Sequence, residues 1–240
     1  MVQLQPIELL SGILAIIVVF FSTLVGILII SRYFKHKQKS FLFIGLTWIG
    51  LVQIWWGISI STIYVLTTGS LLSDPMYMVM GNIFIPLTAI IAVLGFTELF
   101  AKSYQKKLVI PYIIYGVIFE IVFLYYIFTD YRVLGKVNSP VDATYYLFVI
   151  IFQIFCLITL IIISTIFTRI SLRSDNPEIK LRGKLVLLGA YLFLIGAIFE
   201  IISDISIVIL ILGRLFLICS SFTFYSGLIL PNWLEKMLKK

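Results

Sequence analysis

Residues 181–240 read LRGKLVLLGAYLFLIGAIFEIISDISIVILILGRLFLICSSFTFYSGLILPNWLEKMLKK. Two apolar runs, 185–203 and 207–230, follow one another with almost nothing between them. Each approaches the ~20 residues that a helix needs to cross a bilayer. So short a connection makes them antiparallel neighbours. Gly189, Gly196 and Ser203 recur at one interval on the first run, and Gly213, Ser220 and Gly227 at the same interval on the second. Small residues on one stripe let helix backbones approach closely in lipid, where burial of apolar surface gives no drive for helices to associate. The pair also carries Glu200, Asp204 and Arg214 among apolar neighbours. Charge inside lipid is costly, so these side chains are expected to pair or to face a bundle interior.

The remaining chain repeats the pattern. Of its 240 residues 61% are hydrophobic and 12% charged, against roughly 25% charged in a soluble domain. Further apolar runs cover 7–31, 41–66, 77–101, 108–128 and 145–168. They are continuous rather than alternating, which favours helices over a barrel. The expected fold is an all-α membrane protein, a seven-transmembrane-helix bundle over 1–230 with a short amphipathic tail, 231–240. The first run follows an uncharged start and is too long for a signal h-region, so it is expected to remain as the first helix.

Positive charge orients the bundle. Arg32, Lys35, Lys37 and Lys39 follow the first span, Lys102, Lys106 and Lys107 the third. Arg169, Arg173, Lys180, Arg182 and Lys184 follow the fifth, and Lys236, Lys239 and Lys240 the last. The opposite side holds only Arg132 and Lys136. By the positive-inside rule the N-terminus is outside and the C-terminus cytoplasmic. The net charge of +7 is spread over short loops, which argues against nucleic acid and suits anionic lipid at the basic cytoplasmic loops. Asp175-Asn176-Pro177-Glu178 reads as a helix start that projects the sixth helix beyond the membrane. Pro86 and Pro111 are placed to kink the third and fourth helices.

The candidate site gathers the charges. At ~1.5 Å per residue, Glu120, Glu200, Asp204 and Arg214 all fall in the outer half. Arg214 with Glu200 and Asp204 forms an expected ion pair, structural in its simplest reading. With Glu120 and a wall from Trp55 or Trp56, the same groups outline a ligand or ion pocket. The two tryptophans point in different directions, so one pocket takes at most one of them. Glu98 is expected to serve a loop cation. Asn82 and Gln153 read as interhelical hydrogen-bond formers.

Several chemistries are not provided for. No lysine lies within a marked span, so retinal has no Schiff-base partner and no cofactor is expected. His36 is the one histidine, and Cys156 and Cys219 sit singly in apolar runs, so neither metal ligation nor triad catalysis is expected. No enzymatic role is expected.

Leu181-Arg182-Gly183-Lys184 through Glu200, Leu212-Gly213-Arg214, Phe224-Tyr225-Ser226-Gly227 and Pro231-Asn232-Trp233-Leu234-Glu235-Lys236 together resemble the end of a known kind of region. It is similar to the seven-helix sensor regions that precede histidine kinases, and to stand-alone archaeal seven-helix membrane proteins. The resemblance implies a sensory, receptor-like module in the cell membrane that binds an external or membrane-dissolved ligand. In such kinases the last helix continues into a signalling domain; here a partner membrane or signalling protein is expected to supply the output. The alternatives are a small-solute or proton-coupled transporter using Glu120 and Glu200, and a non-catalytic membrane assembly subunit.

Overall fold

The computed structural model describes residues 2–203 and 206–231. The expected amphipathic tail and Asp204 lie outside these residues. Helices dominate: α1 Pro6–His36, α2 Lys39–Leu51, α3 Ile54–Thr68, α4 Asp74–Asn82, α5 Ile85–Phe100, α6 Gln105–Thr129, α7 Leu147–Leu172, α8 Pro177–Ile201 and α9 Ile207–Ile229. Among the described residues six stretches are long and apolar enough to cross a membrane, with α4 and α5 counted together. The α2–α3 pair, bent by 58°, raises this to seven when counted as one span. The bundle is therefore a multi-pass, membrane-embedded one. Its outer surface agrees, since Phe128, Leu147 and Ile201 are 84%, 72% and 80% exposed. Such a surface suits lipid and not water.

One end of the bundle collects the basic connections. The other holds the start of α1, the α3–α4 connection and a β-hairpin, and is called the hairpin end below. Val2 N–H donates to Gly69 O (2.9 Å), so α3 ends beside the start of α1. Since α2 begins two residues after α1 stops, the bent pair runs back along the length of α1.

Packing follows the small residues. On α1 the buried positions Ser11, Ala15, Val18, Ser22, Val25 and Ile29 form one stripe at alternating spacings of four and three. This stripe faces α2, α3 and α9. The closest pair is α8 with α9, as the glycine stripes require. A Cβ on Gly189 would lie 2.9 Å from Phe224 N, and one on Gly227 would lie 2.7 Å from Val186 N. Ser220 adds a hydrogen bond to Gly189 O (2.9 Å). The circuit closes through α7 and α5 to α2, while α6 lies outside it against α5. Trp48 and Trp55 fill the middle. Trp48 stacks on Phe224 with centroids 4.1 Å apart and donates to Ser221 Oγ (3.3 Å). Ser221 meets Ser22 at 2.8 Å, so α1, α2 and α9 share one hydrogen-bonded core. Interhelical bonds of this kind contribute about 0.6 kcal/mol each on average.

Three features differ from the expected fold. The run 41–66 is not one helix: it breaks at Val52–Gln53, where i→i−3 bonds Gln53 N–H to Gly50 O and Trp55 N–H to Val52 O tighten the chain. No proline marks this bend. The run 77–101 also divides, at Ile83–Phe84, just before Pro86 in the first turn of α5. The proline was expected to kink this helix, and its missing N–H does end the ladder. At that break a side-chain amide enters. Phe84 N–H donates to Gln53 Oε1 (3.0 Å), and Gln53 Nε2 donates to Met80 O (3.4 Å). The amide thus stands in for the direct Phe84-to-Met80 rung, a recognised cause of helix breaks.

The third difference is the long loop after α6. It holds an antiparallel hairpin, β1 Gly135–Ser139 with β2 Asp142–Tyr145. Tyr145 therefore belongs to a strand, and α7 starts at Leu147 rather than 145. The start of α8 is as expected. Pro177 opens the helix and Asn176 Oδ1 accepts from Glu178 N–H (2.8 Å). Glu98 likewise meets a loop cation, with Lys102 Nζ at 2.9 Å.

Candidate functional site

Arg214 lies on α9, two turns from the hairpin end, and is fully buried. Its Nη2 donates to Glu200 Oε1 at 2.7 Å across the α8–α9 pair. Glu200 keeps 22% of its side chain exposed, while Arg214 keeps none. The guanidinium carbon stands 5.8 Å from the centre of the Trp55 ring, within cation–π range. Trp55 in turn meets Phe193 edge-on. The pair is held at one edge only: Arg214 Nε and Nη1, Glu200 Oε2 and Trp55 Nε1 have no hydrogen-bond partner among the described residues. Buried polar atoms are nearly always satisfied, so such a cluster is unusual.

The other expected site residues go elsewhere. Glu120 sits on the peripheral α6 and makes no ion pair or side-chain hydrogen bond among the described residues. It is not brought to Arg214. Trp56 points away from Trp55 and packs edge-on against Phe84, with centroids 6.3 Å apart. Of the six candidate site residues, Arg214, Glu200 and Trp55 come together.

The larger cavity is separate. About 350 Å³ opens at the hairpin end, and its walls include Glu8, Ser61, Leu72, Asp74, Tyr77 and Val137. Of the candidate site residues within the described part, Glu120, Glu200, Arg214, Trp55 and Trp56, none lines it. Each wall has a local reason. Glu8 is fixed by the capping box of α1, its Oε2 accepting from Gln5 N–H (2.8 Å). Asp74 opens α4 and accepts from the Tyr131 hydroxyl (2.9 Å), which ties the segment before the hairpin to the α3–α4 corner. Tyr77 is 2% exposed and packs on Gly57, where a Cβ would lie 3.1 Å from the Tyr77 carbonyl oxygen. Tyr77 also stands within electrostatic range of Arg214 and Glu200, so it links the cavity to the buried pair.

A second polar chain supports the hairpin. Gln153 Nε2 donates to Asn82 Oδ1 (3.0 Å), joining α7 to the end of α4 as expected for these residues. Burial pushes the Tyr145 phenol up to about 12. Its hydroxyl therefore stays neutral at physiological pH. The hairpin is thus seated on the same break that Gln53 fills.

Sequence reasoning missed Glu8, Asp74 and Tyr77. Glu8 lies on α1 and Asp74 and Tyr77 on α4, and only the fold brings 2–8, 61–77 and 137–140 together. Among the described residues no group of His, Cys, Asp and Glu is placed to hold a metal ion. Comparison with known proteins finds no match to any family, curated protein or solved structure.

Proposed function

We propose that this chain is a non-enzymatic, receptor-like module of the cell membrane. It would have seven spans, with the N-terminus outside and the C-terminus cytoplasmic, and would bind a small ligand in the hairpin-end cavity. The observation that carries this reading is the position of the two helix breaks. The cavity wall formed by α3 and α4 is separated from α2 and α5 by breaks that meet at Gln53. The two half-helices can therefore turn as one unit. A ligand that prefers one position of that unit shifts its population, which is what a receptor requires. Trp55 is on α3 and faces Arg214, so the buried pair would report that movement to α8 and α9. A partner protein would read the change at the basic loops.

The test is whether filling the cavity is felt at the far end. Leu72→Trp places bulk in the cavity; hydrogen exchange is then compared with wild type in nanodiscs. Altered exchange in the α7–α8 connection, 173–176, is expected. A change confined to the cavity walls contradicts the reading. A transporter is the second reading, favoured by the broken helices, since discontinuous spans form the binding sites of many transporters. Time-dependent solute accumulation in proteoliposomes would establish it.

A further inference from the structure

We propose that the hairpin-end cavity takes a small organic cation: an ammonium group on a short apolar body. This rests on the ligand-binding reading above and adds the chemical class. The cavity volume of about 350 Å³ suits a molecule of that size. Two carboxylates, Glu8 and Asp74, line it, and among the described residues no lysine or arginine does. Neither carboxylate is in an ion pair among the described residues, whose ion pairs are Glu98–Lys102, Glu178–Arg182 and Glu200–Arg214. Among the described residues each has one donor, Gln5 N–H for Glu8 and the Tyr131 hydroxyl for Asp74. A carboxylate offers about four acceptor positions, so both retain capacity toward the cavity.

Tyr77 supplies the independent sign. It is nearly fully buried and lines the cavity. A phenol beside carboxylates suits a cation, through both its oxygen and its ring face. The nearby Arg214 does not oppose this, because Glu200 neutralises it at 2.7 Å. Lys136 is exposed and is not among the residues that line the cavity. The apolar walls from Leu72, Val137 and Pro140 favour a ligand with carbon to bury.

The experiment measures binding of radiolabelled choline to the protein in phosphatidylcholine nanodiscs. Its competitors are 3,3-dimethylbutanol, the neutral isostere, and 3,3-dimethylbutyrate, the anion. Saturable choline binding at one site is expected, with the isostere at least about tenfold weaker. Glu8→Gln and Asp74→Asn are each expected to weaken choline by about tenfold, and Glu98→Gln at the basic end to leave it unchanged. Leu72→Trp is expected to abolish binding. Choline and isostere binding equally, both blocked by Leu72→Trp, would overturn the cation class and leave the cavity as a ligand site. Choline binding that survives both carboxylate variants, or no choline binding by wild type, also overturns the proposal. Far-end exchange in Leu72→Trp is read independently, so the receptor reading stands or falls by itself.

Discussion

Gln53, at the α2–α3 break, hydrogen-bonds through its side chain to Phe84, at the α4–α5 break, and so ties the two broken spans together. Gln53 Oε1 accepts from Phe84 N–H at 3.0 Å, and Gln53 Nε2 reaches Met80 O at 3.4 Å. Gln53 is fully buried, so nothing from solvent replaces it. Gln53→Leu is expected to leave a donor and an acceptor unmet, at roughly 1–3 kcal/mol each. Gln53→Glu keeps the acceptor and is expected to lose less. Unfolding in bicelles gives the ranking; equal stability of Gln53→Leu and wild type contradicts the role.

Arg214 is expected to be needed for assembly. Arg214→Ala strands Glu200 and removes the group over Trp55, a loss on the order of 3–5 kcal/mol for a buried pair. The double variant Arg214→Leu, Glu200→Leu is expected to recover part of it, because no charge is left alone. Thermal unfolding of the three variants is the check. An Arg214→Ala protein as stable as wild type would remove the clasp from the account.

The α8–α9 contact distinguishes two glycines. At Gly189 a Cβ would meet Phe224 backbone nitrogen at 2.9 Å, which cannot yield without moving the helix. At Gly196 the two closest contacts, at 2.7 and 2.9 Å, are with the Leu217 side chain, which can rotate, and the nearest backbone atom is Gly213 O at 3.0 Å. Gly189→Ala is therefore expected to cost more than Gly196→Ala, about 1–3 kcal/mol against less. The reverse order, from the same unfolding measurement, contradicts the packing described.

The α8–α9 pair was legible because its signals are local. The glycine stripes, the apolar runs and the Asn176–Pro177 start each occupy a single stretch. The Arg214–Glu200 pair was legible for the same reason, being the charges of one hairpin. The breaks were not equally visible. Pro86 announces one, but the other lies at Val52–Gln53 with no proline, and a single glutamine barely lowers the hydropathy of its run. The β-hairpin was hidden because its strands are shorter than a hydropathy window. The cavity was hidden because its walls come from three distant segments. Glu120 was misplaced through depth alone: counting residues gives height along a helix, and does not give the face or the neighbours of α6.

Topology has a simple outcome. With Cys156 and Cys219 replaced by alanine, Lys136→Cys on the hairpin is expected to react with a membrane-impermeant maleimide in intact cells. Arg173→Cys between α7 and α8 is expected to react only after permeabilisation. Both positions are exposed. The opposite pattern would invert the proposed orientation.

The central claim is that α3 and α4 move together about Gln53. Spin labels on Ser70→Cys, in the α3–α4 connection, and Val208→Cys, at the start of α9, report it directly. Both positions are exposed at the hairpin end. Pulsed electron paramagnetic resonance in nanodiscs is expected to show two distances, with populations that shift when Leu72→Trp fills the cavity. A single narrow distance, unchanged by that substitution, would contradict the account.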